Sequence, residues 1–210
     1  MTNDLNETTA QADKVATHYD PPSHYVIPAY YDWLMNVSSD LDLPVVRPLM
    51  KACEHHQEIV TLLSTEARLL DQHAFDSWLD LYGNECAYWI PSTYPVRDPR
   101  TSITLEFHDR RRLLDRIARL QTGFAYSQWP ASRTTRVFSG LETWPCPDRD
   151  DEWRARYNFT LVESRSGTNR VLAGWNGFVL RHTPSGLKLL LKQINLIDCD
   201  QAQGNNSFFL

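Results

Sequence analysis

Histidine and cysteine are the side chains best suited to bind iron or zinc, and the sequence has seven His and four Cys. An iron–sulfur cluster with mixed ligands needs paired C-x-H and C-x-x-H loops, whereas Cys53-Glu54-His55 is a lone C-x-H inside a helical pattern. A mononuclear iron site needs two His and a carboxylate. His55 and His56 are adjacent, but neighbouring helix residues point about 100° apart. The spacing therefore predicts no metal site, and no stoichiometric iron or zinc on the isolated chain.

Other short motifs that carry chemistry are also missing from the sequence. It contains no H-E-x-x-H zinc motif, no G-x-G-x-x-G or Walker loop for nucleotides, and no G-x-S-x-G nucleophile turn. We therefore expect no catalytic nucleophile of these types and no cofactor bound by this chain.

Acid–base chemistry remains open, because an Asp or His in an apolar pocket can have a shifted pKa. The candidates are Tyr88, His108, Asp109 and His182. Asp109 has a structural explanation, because an acid that opens a helix caps it and suits its dipole. Tyr88 also fits a core position, and His182 precedes a turn and is expected to be exposed. A stand-alone isomerase or dehydratase is one alternative, and a binding or assembly protein without catalysis is another.

The composition indicates a cytoplasmic globular protein. With 210 residues, of which 42% are hydrophobic, the chain can bury a sizeable core. A net charge of −5 argues against general nucleic-acid binding. The residues from Met1 to Lys14 are polar, unlike a signal peptide, and no apolar run is long enough to span a membrane. The four Cys are far apart and predict no disulfide framework: Cys53, Cys86, Cys146 and Cys199.

The first 48 residues differ in composition from the remainder. Residues 1–18 are polar and predict disorder. Residues 19–48 combine five aromatic side chains with five prolines, a density that argues against a long regular element. We therefore divide the chain into an extended arm over 1–48, packed on its own domain or on a partner, and a domain over 49–210.

The elements of that domain follow from hydrophobic periodicity. Apolar spacings of three and four predict helices over about 50–71, 73–82 and 108–120. Alternation and turn residues predict strands over 86–90, 153–161, 170–182 and 187–198, with a loop over 92–104. Helices followed by hairpins predict an α+β fold in which an antiparallel sheet curls around about three helices.

The last strand contains a change of phase. Leu187, Leu189 and Leu191 occupy odd positions, whereas Ile194 and Leu196 occupy even ones. A strict period of two would expose one of these groups, so the pattern predicts a β-bulge near Lys192-Gln193.

Several segments resemble the β subunit of bacterial aromatic-ring-hydroxylating dioxygenases in order and spacing. They are Leu69-Leu70-Asp71 with Phe75-Asp76-Ser77-Trp78-Leu79, Tyr88-Trp89-Ile90-Pro91, the R-x-x-R-L-x-T-G match from Arg116 to Gly123, the P-x-S-R-T-x-R match from Pro130 to Arg136, and the closing Ser207-Phe208-Phe209-Leu210. Two segments depart from the family pattern, namely the long arm and residues 140–151.

The resemblance implies a cone-shaped fold of the nuclear-transport-factor-2 type and a structural, non-catalytic role. It implies an assembly of three large and three small subunits on which electron-transfer proteins dock. The large subunit is expected to carry a Rieske [2Fe-2S] cluster and a mononuclear iron. No nucleic acid or membrane is expected as a partner.

Residues 123–138 are the predicted contact with neighbouring subunits. This segment is rich in aromatics and Arg, the types enriched at interface hot spots. Either these side chains brace their own chain, or an Arg pairs with a carboxylate across the interface. We predict the interface from Trp129, Arg133 and Arg136, together with Phe208 and Phe209 of the closing tail.

Overall fold

A computed structural model describes residues 27–42, 53–146 and 148–210. The predicted disorder over 1–18 lies outside these residues. The described helices are α1 (Pro28–Asp42), α2 (His56–Asp71), α3 (Phe75–Leu79) and α4 (Arg110–Gln121), with a 3₁₀ turn at Tyr126–Gln128. The strands are β1 (Tyr82–Pro91), β2 (Thr104–Asp109), β3 (Arg133–Cys146), β4 (Arg149–Arg165), β5 (Thr168–Thr183) and β6 (Gly186–Leu196). No helix in these stretches is both long and apolar enough to cross a membrane.

Six strands form one sheet in the order β2-β1-β6-β5-β4-β3. The predicted α+β class is confirmed. The sheet is mixed rather than wholly antiparallel, because β1 and β6 pair in parallel. Strands that follow each other in sequence pair in antiparallel fashion, namely β1 with β2 and β3 through β6. These connections do not set the relative direction of β1 and β6, where the two groups of strands meet.

One face of the sheet, here the inner face, packs on α2, α3 and α4. Trp153, Ala155, Tyr157, Phe159 and Leu161 alternate along β4 and all belong to this core, as the sequence predicts. The helices contribute Ile59 and Leu63 of α2, Trp78 of α3, and Leu113 and Ile117 of α4. The core therefore lies between the helical layer and a concave set of apolar strand positions.

The opposite face, here the outer face, is covered by α1, a helix that the sequence pattern did not predict. Leu34, Val37 and Leu41 of α1 are buried against Trp89 and Val179 of the sheet. The prediction of an extended arm was wrong over Pro28–Asp42, because these residues form a helix. The prolines precede this helix, follow it or open it, and Pro is tolerated in the first helical turn.

Two further strands correct the sequence-based assignment. β2 occupies the end of the predicted loop and the expected start of the third helix, which begins at Arg110 instead. β3 runs through residues to which the sequence pattern assigned no strand. β2 and β3 are the two edges of the sheet. The half-buried positions of β3 include Thr134 and Arg136, so its sequence lacks the apolar alternation on which the predictions rested.

The predicted β-bulge in the last strand is present, two residues earlier than expected. Leu189 pairs with Leu180 and Leu191 pairs with Val179, so Leu190 is the extra residue. After it, Lys192 and Ile194 point to the inner face while Leu191 joins the outer core. The bulge therefore determines that a lysine enters the interior.

Candidate functional site

A group of polar side chains lies inside the apolar core of the inner face. Glu66 of α2 is fully buried, and its Oε1 accepts hydrogen bonds from Lys192 Nζ (2.8 Å), Trp78 Nε1 (2.8 Å) and Tyr82 OH (3.3 Å). Burial lowers the pKa of Lys192, and the nearby Glu66 opposes this shift. A buried charge of this kind is tolerated when it is paired and hydrogen-bonded.

The C-terminal segment, Phe208–Leu210, fills the space in front of these groups. The Phe209 ring lies 4.7 Å from the Trp78 ring, and Leu210 presents its main-chain oxygen to Lys192 Nζ at 2.8 Å. Tyr88 OH donates to the same oxygen at 3.0 Å and accepts from the Leu210 N–H at 2.8 Å. All three residues of the segment are buried. The position where a concave sheet could hold a ligand is therefore occupied by the chain itself.

Two arginines hold this segment from the sides. Arg116 Nη2 donates to the main-chain oxygen of Phe208 at 2.8 Å, and its guanidinium lies 4.3 Å from the Phe209 ring centroid. Arg136 Nη2 donates to the main-chain oxygen of Phe209, and its Nη1 forms an ion pair with Asp71. These arginines satisfy main-chain acceptors that the apolar surroundings would otherwise leave unpaired.

The four acid–base candidates do not converge on a cavity. Burial raises the pKa of Tyr88 far above its ordinary value, and its hydroxyl is already bonded to Leu210. Asp109 caps α4 by accepting from the Arg112 N–H at 3.0 Å, as expected. His108 of β2 lies beside Glu106 of the same strand and Arg116 of α4. His182 lies at the end of β5, half-buried rather than exposed.

His182 instead joins a cluster that spacing alone did not reveal. It meets His55 and Glu58 at the start of α2, 127 and 124 residues away in sequence. Metal-ligand motifs in a sequence consist of near neighbours, whereas the fold brings these distant residues together.

The loop before β3 is the most exposed aromatic surface of the predicted interface. Trp129 is 73% exposed, and Phe124 and Tyr126 are also exposed. Arg165 of β4 donates to the main-chain oxygens of Pro130 (3.0 Å), Tyr126 (3.4 Å) and Trp129 (3.5 Å). The loop is therefore fixed to the sheet while its rings face outward.

The other predicted interface residues divide into two groups. Arg133 is exposed on β3 and remains a candidate for contact with a partner. Arg136, Phe208 and Phe209 are corrected: the Arg136 carboxylate partner is Asp71 of the same chain, and both Phe side chains lie in the chain's own core. The sequence shows their residue types, which suit an interface and an internal brace equally well.

The fold and this site together define an α+β protein with a helix-backed mixed sheet whose concave side is filled by its own chain. A family model described as "Ring hydroxylating beta subunit" matches residues 65–201, more than half of the chain. The chain belongs to this family, and it is a small (β) subunit of the aromatic-ring-hydroxylating dioxygenase type.

Relatives in sequence and structure agree with this assignment. The chain is 31% identical over 144 residues to the 2-halobenzoate 1,2-dioxygenase small subunit of Burkholderia cepacia, which covers 66% of this chain and 86% of that one. It is 27% identical to the benzoate 1,2-dioxygenase subunit beta of Acinetobacter baylyi, over 67% and 85% of the two chains. The crystal structure of the benzoate 1,2-dioxygenase beta subunit of Burkholderia mallei shares the fold, with a TM-score of 0.60, 23% identity and coverage of 76% and 99%.

Proposed function

We propose that this chain is the structural, non-catalytic small subunit of a Rieske non-haem iron dioxygenase that degrades aromatic compounds. The observation that carries the proposal is the C-terminal segment, which occupies the concave side of the sheet and bonds to Tyr88 and Lys192. A buried tyrosine whose pKa is strongly raised and whose hydroxyl is already bonded is a poor acid–base catalyst near neutral pH.

In this proposal the redox chemistry belongs to the large subunit, which would hold the Rieske [2Fe-2S] cluster and the mononuclear iron. Three large and three small subunits would assemble in the cytoplasm, and electron-transfer proteins would dock on the complete enzyme. The relatives reported above are named for benzoate and 2-halobenzoate. Aromatic carboxylates are therefore the first substrates to test.

The small subunit would contact its neighbours through the loop that carries Phe124, Tyr126 and Trp129, and through Arg133 beside it. These side chains are exposed on the isolated chain, and exposed aromatics are the type that interfaces bury. The loop is held by Arg165, so little ordering would be needed on binding.

Co-expression with the large subunit from the same organism tests the proposal. The large subunit should co-purify with a tagged form of this chain, give the visible absorption of an iron–sulfur cluster, and oxidise an aromatic substrate. A colourless chain that purifies alone and converts a ketone or hydroxy-ketone would instead establish the isomerase or dehydratase alternative.

A further inference from the structure

Three metal-ligand groups converge where the start of α2 meets the end of β5. His55 Nδ1 lies 3.1 Å from Glu58 Oε2, and His182 Nε2 lies 3.3 Å from the same carboxylate oxygen. The two ring nitrogens are 3.4 Å apart. The three atoms therefore form a nearly equilateral triangle, with one nitrogen or oxygen ligand atom from each side chain at its corners.

This triangle matches one face of a zinc coordination tetrahedron. Zinc binds His nitrogen and carboxylate oxygen at about 2.0–2.2 Å, so neighbouring ligand atoms of a tetrahedral site are about 3.3–3.6 Å apart. All three observed separations lie within about 0.2 Å of that range. One cation placed over the centre of the triangle could be bound by all three groups at ordinary bond lengths.

The local structure holds both imidazoles in place. The Trp153 ring, which is buried, lies 4.4 Å from the His55 ring and 5.3 Å from the His182 ring. Leu180 pairs with Trp153 across the sheet, so Trp153 and His182 share the inner face. Because the ligands already have a fixed orientation, binding a cation costs less side-chain entropy.

The cluster is also accessible to solvent. The side chains of His55, Glu58 and His182 are 30%, 45% and 35% exposed. A cation could enter directly, and a fourth coordination position would face water. Two imidazoles and one carboxylate suit zinc and similar divalent metals better than magnesium or calcium, which prefer oxygen ligands alone.

We propose that His55, Glu58 and His182 form a binding site for one divalent cation of the zinc class. Bound there, the cation would join the start of α2 to the end of β5, two elements far apart in sequence. The proposal replaces the expectation from spacing that the isolated chain binds no zinc. It is independent of the proposed function, because the site lies outside the core that the C-terminal segment fills.

Zinc titration of the full chain, purified without a histidine tag and stripped with a chelator, tests the proposal. We expect one Zn²⁺ per chain by calorimetry and elemental analysis, and a rise in Tm of about 5 °C or more at saturating Zn²⁺. Co²⁺ should give the intense visible bands of a tetrahedral site. Glu58→Gln and His182→Ala should each weaken Zn²⁺ binding by more than about tenfold.

His56→Ala is the matched control, because His56 adjoins the cluster but bonds Thr143 Oγ1 at 2.9 Å instead. This variant should bind Zn²⁺ like the original chain. Glu58→Gln is nearly isosteric and partly exposed, so it gives a result even if a His variant folds poorly. The proposal would be overturned if the original chain did not bind Zn²⁺. It would also be overturned if Glu58→Gln and His182→Ala bound Zn²⁺ as tightly as the original chain.

Discussion

The Tyr88 hydroxyl and the main chain of Leu210 form two hydrogen bonds with each other, one in each direction, at 3.0 and 2.8 Å. The residues are 122 positions apart in sequence. Tyr88 thereby fixes the C-terminal segment in the concave side of the sheet. The occupied interior depends on this pair, because it satisfies both main-chain groups of Leu210 away from water.

Tyr88→Phe should destabilise the fold by about 1–3 kcal/mol, because it leaves the buried N–H of Leu210 without its partner. Denaturant unfolding measures the loss, and carboxypeptidase should digest the C-terminal segment faster in this variant. Tyr94→Phe is the control, since Tyr94 is 69% exposed and should change neither quantity. Equal digestion of both variants would show that Tyr88 does not hold the segment.

Arg136→Ala and Arg133→Ala should separate an internal brace from a surface residue. Arg136 pairs with Asp71 and with the main-chain oxygen of Phe209, and its side chain is almost fully buried. Removing it leaves a carboxylate without its counter-charge, which costs about 3–5 kcal/mol. Arg133 is exposed, so Arg133→Ala should unfold like the original chain. Comparable losses for the two variants, measured by denaturant unfolding, would contradict this distinction.

Alkaline pH should destabilise the protein through its buried cysteine and tyrosine side chains. Burial raises the pKa of the Cys86 thiol from its ordinary 9.0 to about 12, and it raises the pKa of Tyr82, Tyr88 and Tyr157 as well. A raised pKa means that the folded state keeps a proton that the unfolded state loses. The stabilisation is therefore complete below pH 9. The Cys86 contribution declines above pH 9 and the tyrosine contributions decline above pH 10, by up to about 1.4 kcal/mol per pH unit for each group.

Spectroscopic titration checks this prediction. The ultraviolet absorbance of tyrosinate from the three buried residues should appear together with the loss of circular dichroism. Cys86→Ala should make the decline in stability shallower just above pH 9, because one buried acid is gone. Tyrosinate absorbance from the buried rings in a still-folded chain would show that they are accessible to solvent.

Trp129→Ala should weaken assembly without weakening the fold. Trp129 is 73% exposed and makes its described hydrogen bonds through the main chain, so its side chain contributes little to the isolated domain. An interface aromatic is worth roughly 2 kcal/mol or more, which corresponds to more than tenfold in affinity for the large subunit. Ile103→Ala is the control, because Ile103 is 83% exposed on a different loop. Size-exclusion chromatography and thermal melting give the two measurements, and identical assembly of both variants would remove Trp129 from the interface.

The extent to which the sequence predicts this structure follows from where each element lies. β4 was predictable because apolar inward and polar outward residues alternate along a long strand that is paired on both sides. The α4 cap was predictable because Asp109 acts locally. The edge strand β3 was not, because half-buried positions such as Thr134 and Arg136 carry polar side chains and give no apolar alternation.

The candidate site was harder to predict because its contacts are long-range. Lys192 meets Glu66 across 126 residues, and His182 meets His55 across 127. A one-residue bulge at Leu190 decides that Lys192 points inward at all. Register and packing determine these contacts, and neither leaves a local pattern in the sequence.

In the proposed structural role, this chain supplies no catalytic group to the reaction. The most direct test is the turnover of the complete enzyme, measured per assembled complex, when the small subunit carries Tyr88→Phe and His108→Gln. We expect a kcat within about twofold of the original enzyme, because the proposed structural role gives neither side chain a part in the reaction. Loss of a general acid or base typically lowers the rate by about 10²–10⁴. A fall of that size in fully assembled, iron-loaded enzyme would contradict the account.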